Sequence, residues 1–392
     1  MEMPADYANR TGRRIVIAVG IALALLSAAV AQPGPLSSVR AERQFVFGAA
    51  GDFGYHVTDS DPETREAWTS MGNGGLDFVL AVGDFSYDET DTGTWCSNFK
   101  SHIPNVVVIS GNHDASSIDG FAAACPFTLG QMTGDYGKRF YFDYPQPNPL
   151  ARFILISPDI FGSYSAGDAD YTWTAEAIDG ARSAGIPWVI MAMHKVCITT
   201  GSKSCQIGPD VLNLFLEKRV DLVLAGHDHD YQRSKSLAHS DSCPTLSPDS
   251  FNAACVAASG PTYPSGNGTV LVIQGTGGQG TDSVSSSDPE AGYFDSYTAC
   301  CHGFVKYQVS ESAIEGVFVN DDAPGFTDSF SIGPRGSSPG GPDDGNPGGA
   351  DGGLPGGAGG NNYLVLGLAL VGSIAFVGIL VYIVRRFARP PR

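Results

Sequence analysis

The chain has 392 residues, room for two domains or one large one, and its 41 acidic against 23 basic side chains give a formal charge of −18. That balance repels nucleic-acid backbones and anionic lipid surfaces, so nucleic acid is set aside as a partner.

In chain order, the first element is a targeting segment. Arg10, Arg13 and Arg14 precede the apolar run IVIAVGIALALLSAAVA, Ile15 to Ala31, and Ala29-Val30-Ala31 offers a small-x-small cleavage site. Residues 1–31 therefore read as a signal peptide, with an uncleaved signal anchor as the alternative. Residues 32–332 follow as an ectodomain whose globular part begins near Arg43.

Within it, short apolar runs recur: QFVFGAAGD, LDFVLAVGD, NVVVISGNHD, RFILIS, WVIMAMHK, VDLVLAGHDHD and TVLVIQGTGG. Continuous β-branched runs of this length predict strands buried on both faces. Helical stretches such as ETREAWTSMG and PDVLNLFLEKR fall between some of them. The alternation predicts an α/β domain with a largely buried, mixed sheet, whose ligands sit beyond the carboxyl ends of its strands. Those ends carry Asp52, Asp84, Asn112, His113, His194, His227 and His229.

Beyond the globular part, residues 333–362 are rich in Gly, Pro and Asp and cannot bury a core, which predicts a flexible stalk. Tyr363 to Val384 is a run of 22 uncharged, mostly apolar residues, long enough as a helix for a hydrocarbon core of roughly 30 Å. Arg385, Arg386 and Arg389 follow at once, so residues 385–392 read as a basic cytoplasmic tail. Both charged flanks place the region between them on the non-cytoplasmic side of a membrane. The eight cysteines, an even number and all in the ectodomain, agree with an oxidising compartment. Cys197–Cys205 and Cys243–Cys255 are the expected local pairs. Adjacent Cys300 and Cys301 bond either each other or separate partners.

Five strand ends offer metal-type donors: GDFG (51–54), GDFSY (83–87), GNHD (111–114), MAMH (191–194) and GHDH (226–229). A glycine before Asp52, Asp84, Asn112 and His227 permits a sharp turn and close approach of a ligand. Oxygen donors mixed with imidazoles suit first-row transition metals, and a shared carboxylate can hold two ions roughly 3.5–4 Å apart. The competing reading, loop carboxylates that cap following helices, leaves Tyr87 and the His227/His229 pair unexplained.

Taken in order, the five blocks resemble those of the purple acid phosphatases, within the calcineurin-like metallophosphoesterase superfamily. The resemblance runs from Phe47 to about Gly280 and implies a four-layer αββα sandwich. Carried over block by block, it implies that Asp52, Tyr87 and His229 bind Fe3+. Asn112, His194 and His227 would bind a divalent ion (Fe2+, Zn2+ or Mn2+), and Asp84 would bridge the two. His113 would contact phosphate and protonate the leaving oxygen, with Asp114 orienting it. The implied reaction is phosphate monoester hydrolysis by metal-activated hydroxide. A phosphodiesterase of the same superfamily, or a metal-bearing adhesion or receptor ectodomain, are the alternatives.

This chain departs from the family pattern in places. Met191 stands where valine is usual. The segment HKVCITTGSKSCQIG lacks the second substrate histidine of the commoner relatives, leaving Lys195, Lys203 or no residue for that role. Most other superfamily members have a histidine where Gly54 stands, and lack Tyr87. GTGGQG, with Gly275, Gly277 and Gly280, reads as a turn because no helix pattern follows it. His56, His102, His239 and His302 read as loop or surface residues, His56 also as a possible cleft residue. Asn267-Gly268-Thr269 is a glycosylation sequon in the ectodomain, whereas Asn9 begins one ahead of the apolar segment.

Overall fold

The computed structural model describes residues 42–54, 62–88, 91–322 and 325–334. The signal peptide, the transmembrane run with its flanks, nearly all of the stalk, and His56 lie outside the described residues. Among the described residues, no helix is long and apolar enough to cross a membrane.

Each of the seven apolar runs forms a strand, because such runs can hide both faces only between other layers. They are β1 (Gln44–Ala50), β2 (Phe78–Ala81), β3 (Val106–Val108), β6 (Ala151–Ile156), β7 (Trp188–Ala192), β8 (Leu222–Ala225) and β13 (Val270–Gln274). Between and after them come β4 (Met132–Asp135), β5 (Arg139–Tyr144), β9 (Tyr231–Ser234), β10 (Ser236–Leu237), β11 (Val256–Ala258) and β12 (Thr262–Pro264). The last four are β14 (Phe294–Thr298), β15 (Gly303–Ser310), β16 (Ile314–Asn320) and β17 (Ser329–Gly333).

The strands build two large sheets, in the orders β12-β17-β16-β15-β1-β2-β3 and β14-β9-β13-β8-β7-β6-β5-β4, with β10 and β11 paired separately. Both are mixed. β1, β2 and β3 run parallel while β15 is antiparallel to β1. In the other sheet β6, β7, β8 and β13 are parallel, flanked by antiparallel β5 and β9.

The sheets meet across an aromatic layer. Phe47 of β1 stacks on Tyr307 with centroids 4.7 Å apart and meets Phe153 of the second sheet edge-on at 5.2 Å. Phe142 stacks on Phe153 at 4.9 Å. These rings are fully buried or nearly so, and each contributes a large apolar area together with a preferred ring geometry. The outer faces are covered by helices. Under α1 (Pro62–Asn73), α2 (Thr92–His102) and α3 (Ile118–Ala124) lie Trp68, Trp95, Phe99 and Phe121. Under α4 (Ala169–Ser183) and α5 (Pro209–Glu217) lie Ile178, Leu212 and Phe215. The architecture is thus an αββα sandwich.

Local chemistry sets the helix starts. The Asp91 carboxylate accepts from Thr94 N at 2.8 Å to cap α2, and Pro209 opens α5, where a missing N–H costs nothing. Disulfides join Cys96 to Cys125, Cys197 to Cys205, Cys243 to Cys255, and Cys300 to its neighbour Cys301. The two expected local pairs are present, and the adjacent cysteines bond each other.

Candidate metal centre

The parallel strands β1, β2 and β3 of one sheet, and β7 and β8 of the other, end at the same edge of the sandwich. Their exit turns carry the candidate residues. Asp52, Asp84 and His227 adopt left-handed backbone, with φ of 61°, 51° and 74°. Such conformations cost on the order of 1–3 kcal/mol each in a non-glycine residue and persist only where the surroundings hold them. The glycine spacing has a direct cause at two positions. A Cβ on Gly111 would stand 2.0 Å from Asp84 Oδ1, and one on Gly226 would stand 2.5 Å from Asp52 Oδ2.

Asp84, His194 and His227 bring donor atoms within 4.8 Å of one another, all three residues buried. His194 Nδ1 donates to the Val82 carbonyl at 2.9 Å, which aims Nε2 at Asp84 Oδ2 at 3.2 Å and at His227 Nδ1 at 3.2 Å. His227 Nε2 is buried with no hydrogen-bond partner. Burial opposes charge on His194, but Asp84 and Asp52 outweigh it and push its pKa up to about 9. Burial and the His194 charge push His227 down to about 2, which keeps it neutral, one ring nitrogen carrying the proton and the other a lone pair. Burial likewise opposes ionisation of Asp84, yet His194 and the His113 backbone N–H, 2.9 Å from Asp84 Oδ1, hold it below the usual carboxylate range.

A second group adjoins the first. The Tyr87 hydroxyl donates to Asp52 Oδ1 at 2.8 Å and lies 2.9 Å from His229 Nε2. His229 Nδ1 faces the Gly280 carbonyl at 2.9 Å, so Nε2 presents a lone pair to a phenol oxygen whose proton is already committed. Asp52 Oδ2 accepts from His227 N at 2.8 Å, and Oδ1 lies 3.5 Å from His229 Nε2. Burial raises the pKa of Asp52 despite the pull of His194. Burial, then Asp52 and Asp84, raise that of Tyr87.

Carboxylate oxygens, imidazole nitrogens and a phenol oxygen therefore converge in one buried group, with the His194 and Tyr87 protons the ones a cation would displace. Buried polar groups in such an arrangement are satisfied by cations. The donor set fits a metal centre: an orphaned imidazole nitrogen, two buried carboxylates, and two imidazoles each oriented by a backbone carbonyl.

The remaining sequence candidates take these places. Asn112 is exposed on the 111–114 turn. The His113 side chain is 46% exposed, its Nε2 4.0 Å from Asp84 Oδ2 and its ring centroid 4.4 Å from that of Tyr87. Asp114 accepts three backbone N–H groups instead: Asp84 at 2.7 Å, Phe85 at 2.9 Å and Gly111 at 2.9 Å. Its carboxylate braces the two turns. Burial, then Asp84, push Asp114 up to about 7.

GTGGQG forms the loop after β13 and no helix follows it, as its turn reading requires. His102 lies on α2, His239 is exposed, and His302 Nε2 is 3.1 Å from the Gln279 carbonyl.

Several contributors escaped the sequence reading. The Val82 and Gly280 carbonyls carry no side-chain signature. Gln279 N donates to Asp52 O at 2.9 Å and Gly277 N to Gly51 O at 2.9 Å, so the glycine-rich turn clamps the first block. Asp228 is buried and accepts from Thr199 Oγ1 at 2.6 Å and Ser202 N at 2.9 Å. Its signal was its place between two candidate histidines.

Glu290 lies under the same loop and accepts from Thr199 N at 2.8 Å and Asp249 N at 2.7 Å. Burial pushes Glu290 up to about 7, and burial pushes Asp321 up to about 6. Both bind a proton more readily folded than unfolded. Their contribution to stability is therefore full below the ordinary carboxyl range and is lost as pH rises toward 7. The melting midpoint of chelator-treated protein should climb as pH falls from about 7.5 to about 5, and Glu290→Gln should flatten that climb. A calorimetric midpoint that stays level or drops over this interval contradicts the assignment.

Residues 46–231 match the family described as calcineurin-like phosphoesterase. The chain is 24% identical over 221 residues to the Fe(3+)-Zn(2+) purple acid phosphatase 12 of Arabidopsis thaliana, covering 50% of this chain and 44% of that protein. It therefore spans less than half the length of that relative. It is 25% identical over 288 residues to a nucleotide pyrophosphatase/phosphodiesterase of Hordeum vulgare, covering 65% and 72%. Among solved structures, a purple acid phosphatase from yellow lupin (Lupinus luteus) seeds superposes with a TM-score of 0.57 at 18% identity, over 75% of this chain and 54% of that one, a likeness of fold. With the strand order and the convergent donors, these matches establish that the chain carries a calcineurin-like phosphoesterase domain and has purple acid phosphatases among its relatives.

Proposed function

We propose that the chain is a dimetal acid phosphatase that hydrolyses phosphate monoesters on the extracytoplasmic side of a membrane. The observation that carries this reading is the convergence of Asp84, His194 and the partnerless His227 Nε2 beside the Tyr87–Asp52–His229 group. In this assignment Asp52, Tyr87 and His229 would hold Fe3+, and Asn112, His194 and His227 would hold Fe2+, Zn2+ or Mn2+, with Asp84 shared by both sets. Cations held there would supply acidification of a nearby water and compensation of phosphate charge. The protein's own part is positioning. The Val82 and Gly280 carbonyls fix the imidazole tautomers, and Asp114 holds the turns that aim Asp84. His113, exposed at the rim and resting against the Tyr87 ring, can deliver a proton to the departing alkoxide. The membrane side rests on the apolar segments of the sequence.

A phosphodiesterase is the second reading, favoured by the barley relative, which matches over 72% of its own length. Turnover of phenyl phosphate against a bis-phenyl diester separates the two, and preference for the diester would sink the monoesterase assignment. His113→Ala is tested on the same substrates. It should retain both metals and lose about 10²–10⁴-fold in rate on phenyl phosphate, and less on nitrophenyl phosphate, whose leaving group needs no proton. Loss of metal from that variant would show His113 to be a ligand.

A further inference from the structure

After β7 the chain makes a loop that the Cys197–Cys205 disulfide closes beside the candidate metal centre. Three buried side chains hold it. Asp228 takes the backbone N–H of Ser202 at 2.9 Å and of Lys203 at 3.1 Å. Glu290 takes Thr199 N at 2.8 Å, and Gln232 takes Thr200 N at 2.7 Å. A loop fixed in this way carries its side chains at defined positions.

Two lysines belong to this region: Lys195 follows His194 directly, and Lys203 sits on the loop with its N–H held by Asp228, between the two candidate histidines. They differ in what else they touch. Lys195 Nζ is 2.7 Å from Asp159 Oδ2, and its side chain is 10% exposed, so its charge is matched within the protein. Lys203 Nζ stands 3.8 Å from Asp282 Oδ2, outside hydrogen-bond reach, with its side chain 29% exposed. Asp282 Oδ2 already receives His229 N and Ser202 Oγ, each at 3.3 Å. Lys203 is thus a tethered, loosely paired cation over the backbone of a candidate ligand.

We propose that Lys203 is the phosphate-anchoring residue of this site, its ammonium group binding a non-bridging oxygen of the phosphoryl group and favouring the doubly charged monoester over the singly charged diester. This rests on the phosphoesterase reading above. An ammonium acts as a point charge, so it discriminates by ligand charge more than by ligand shape.

The test is calorimetric titration of inorganic phosphate into the zinc-loaded full chain, as wild type, Lys203→Gln and Lys203→Arg, with metal content measured alongside. Lys203→Gln should weaken phosphate binding about tenfold or more, and Lys203→Arg should stay within about threefold of wild type. In turnover, Lys203→Gln should raise KM for phenyl phosphate about tenfold while kcat/KM for a bis-phenyl diester shifts less than about threefold. Phosphate affinity unchanged in Lys203→Gln overturns the assignment, as does weakened affinity traced to lost metal. A wild type that binds phosphate through Lys203 but hydrolyses neither ester upholds it and sinks the hydrolase reading instead.

Discussion

Asp84→Asn is expected to cost at least about 10³-fold in phosphoesterase turnover, more than the 10–100-fold typical of losing an outer partner of a metal ligand. The carboxylate lies at the centre of the site. One oxygen accepts from His113 N at 2.9 Å, and the other faces His194 Nε2 at 3.2 Å and His113 Nε2 at 4.0 Å. It is held in its charged form, whereas the asparagine amide is neutral and leaves a single oxygen to face either histidine. The variant should bind less than the wild-type complement of metal by elemental analysis. It should also change the metal-free protein. Asp84 is the foremost of the charges that push His194 up to about 9, so the imidazole of the variant should lose its proton at lower pH in an NMR titration. A variant with full metal content and wild-type rate would remove Asp84 from the bridging position and with it the two-ion assignment.

The strands and their chemistry were legible for related reasons. Runs such as LVLA and WVIMA are apolar throughout because both of their faces are covered, and the residue that breaks each run is the one that reaches the sheet edge. Asp52, Asp84, His194 and His227 could be read from one feature, an abrupt change from apolar to donor residue after a strand. Strand order could not be read. β1 pairs with β15 from the far end of the domain, and no local pattern encodes a pairing at that separation. The backbone contributions were hidden too. Gly280 and Val82 act through carbonyls, and Gly275 to Gly280 were read as a turn without any sign that the turn clamps Asp52. Asp114 shows a third limit. Its place beside His113 suggested an orienting carboxylate, but a side chain at a sharp turn reaches the nearest free N–H groups first, here those of Asp84, Phe85 and Gly111.

Division of the donors between two sheets also explains why so much of the fold serves one edge. Asp52, Asp84 and Tyr87 leave one sheet, while His194, His227 and His229 leave the other. Their separation is therefore set by how the aromatic layer around Phe47, Phe153 and Tyr307 spaces the sheets. That layer is rigid because close-packed rings tolerate little displacement, and positioning of this kind is what an electrostatic site requires.

Tyr87→Phe is expected to abolish the visible colour of the iron-loaded protein while leaving Asp52, Asp84 and His229 able to hold a metal. In the protein alone, burial and the neighbouring Asp52 and Asp84 raise the Tyr87 pKa well beyond its usual value, so the phenol keeps its proton at every physiological pH. A phenolate can form there only if a strongly acidic cation displaces that proton, and among the metals considered Fe3+ is the most acidic. A phenolate–ferric pair absorbs broadly in the visible by charge transfer, and phenylalanine has no oxygen to donate. The geometry makes Tyr87 the natural source: its oxygen lies 2.8 Å from Asp52 Oδ1 and 2.9 Å from His229 Nε2. Gly54, where most other superfamily members have a histidine, supplies no competing donor. The comparison requires wild type and variant loaded in parallel, with absorption spectra and iron content taken on the same samples. A colourless wild type replete with zinc or manganese alone would end the ferric assignment, and a variant that keeps the wild-type band would end the assignment of that band to Tyr87.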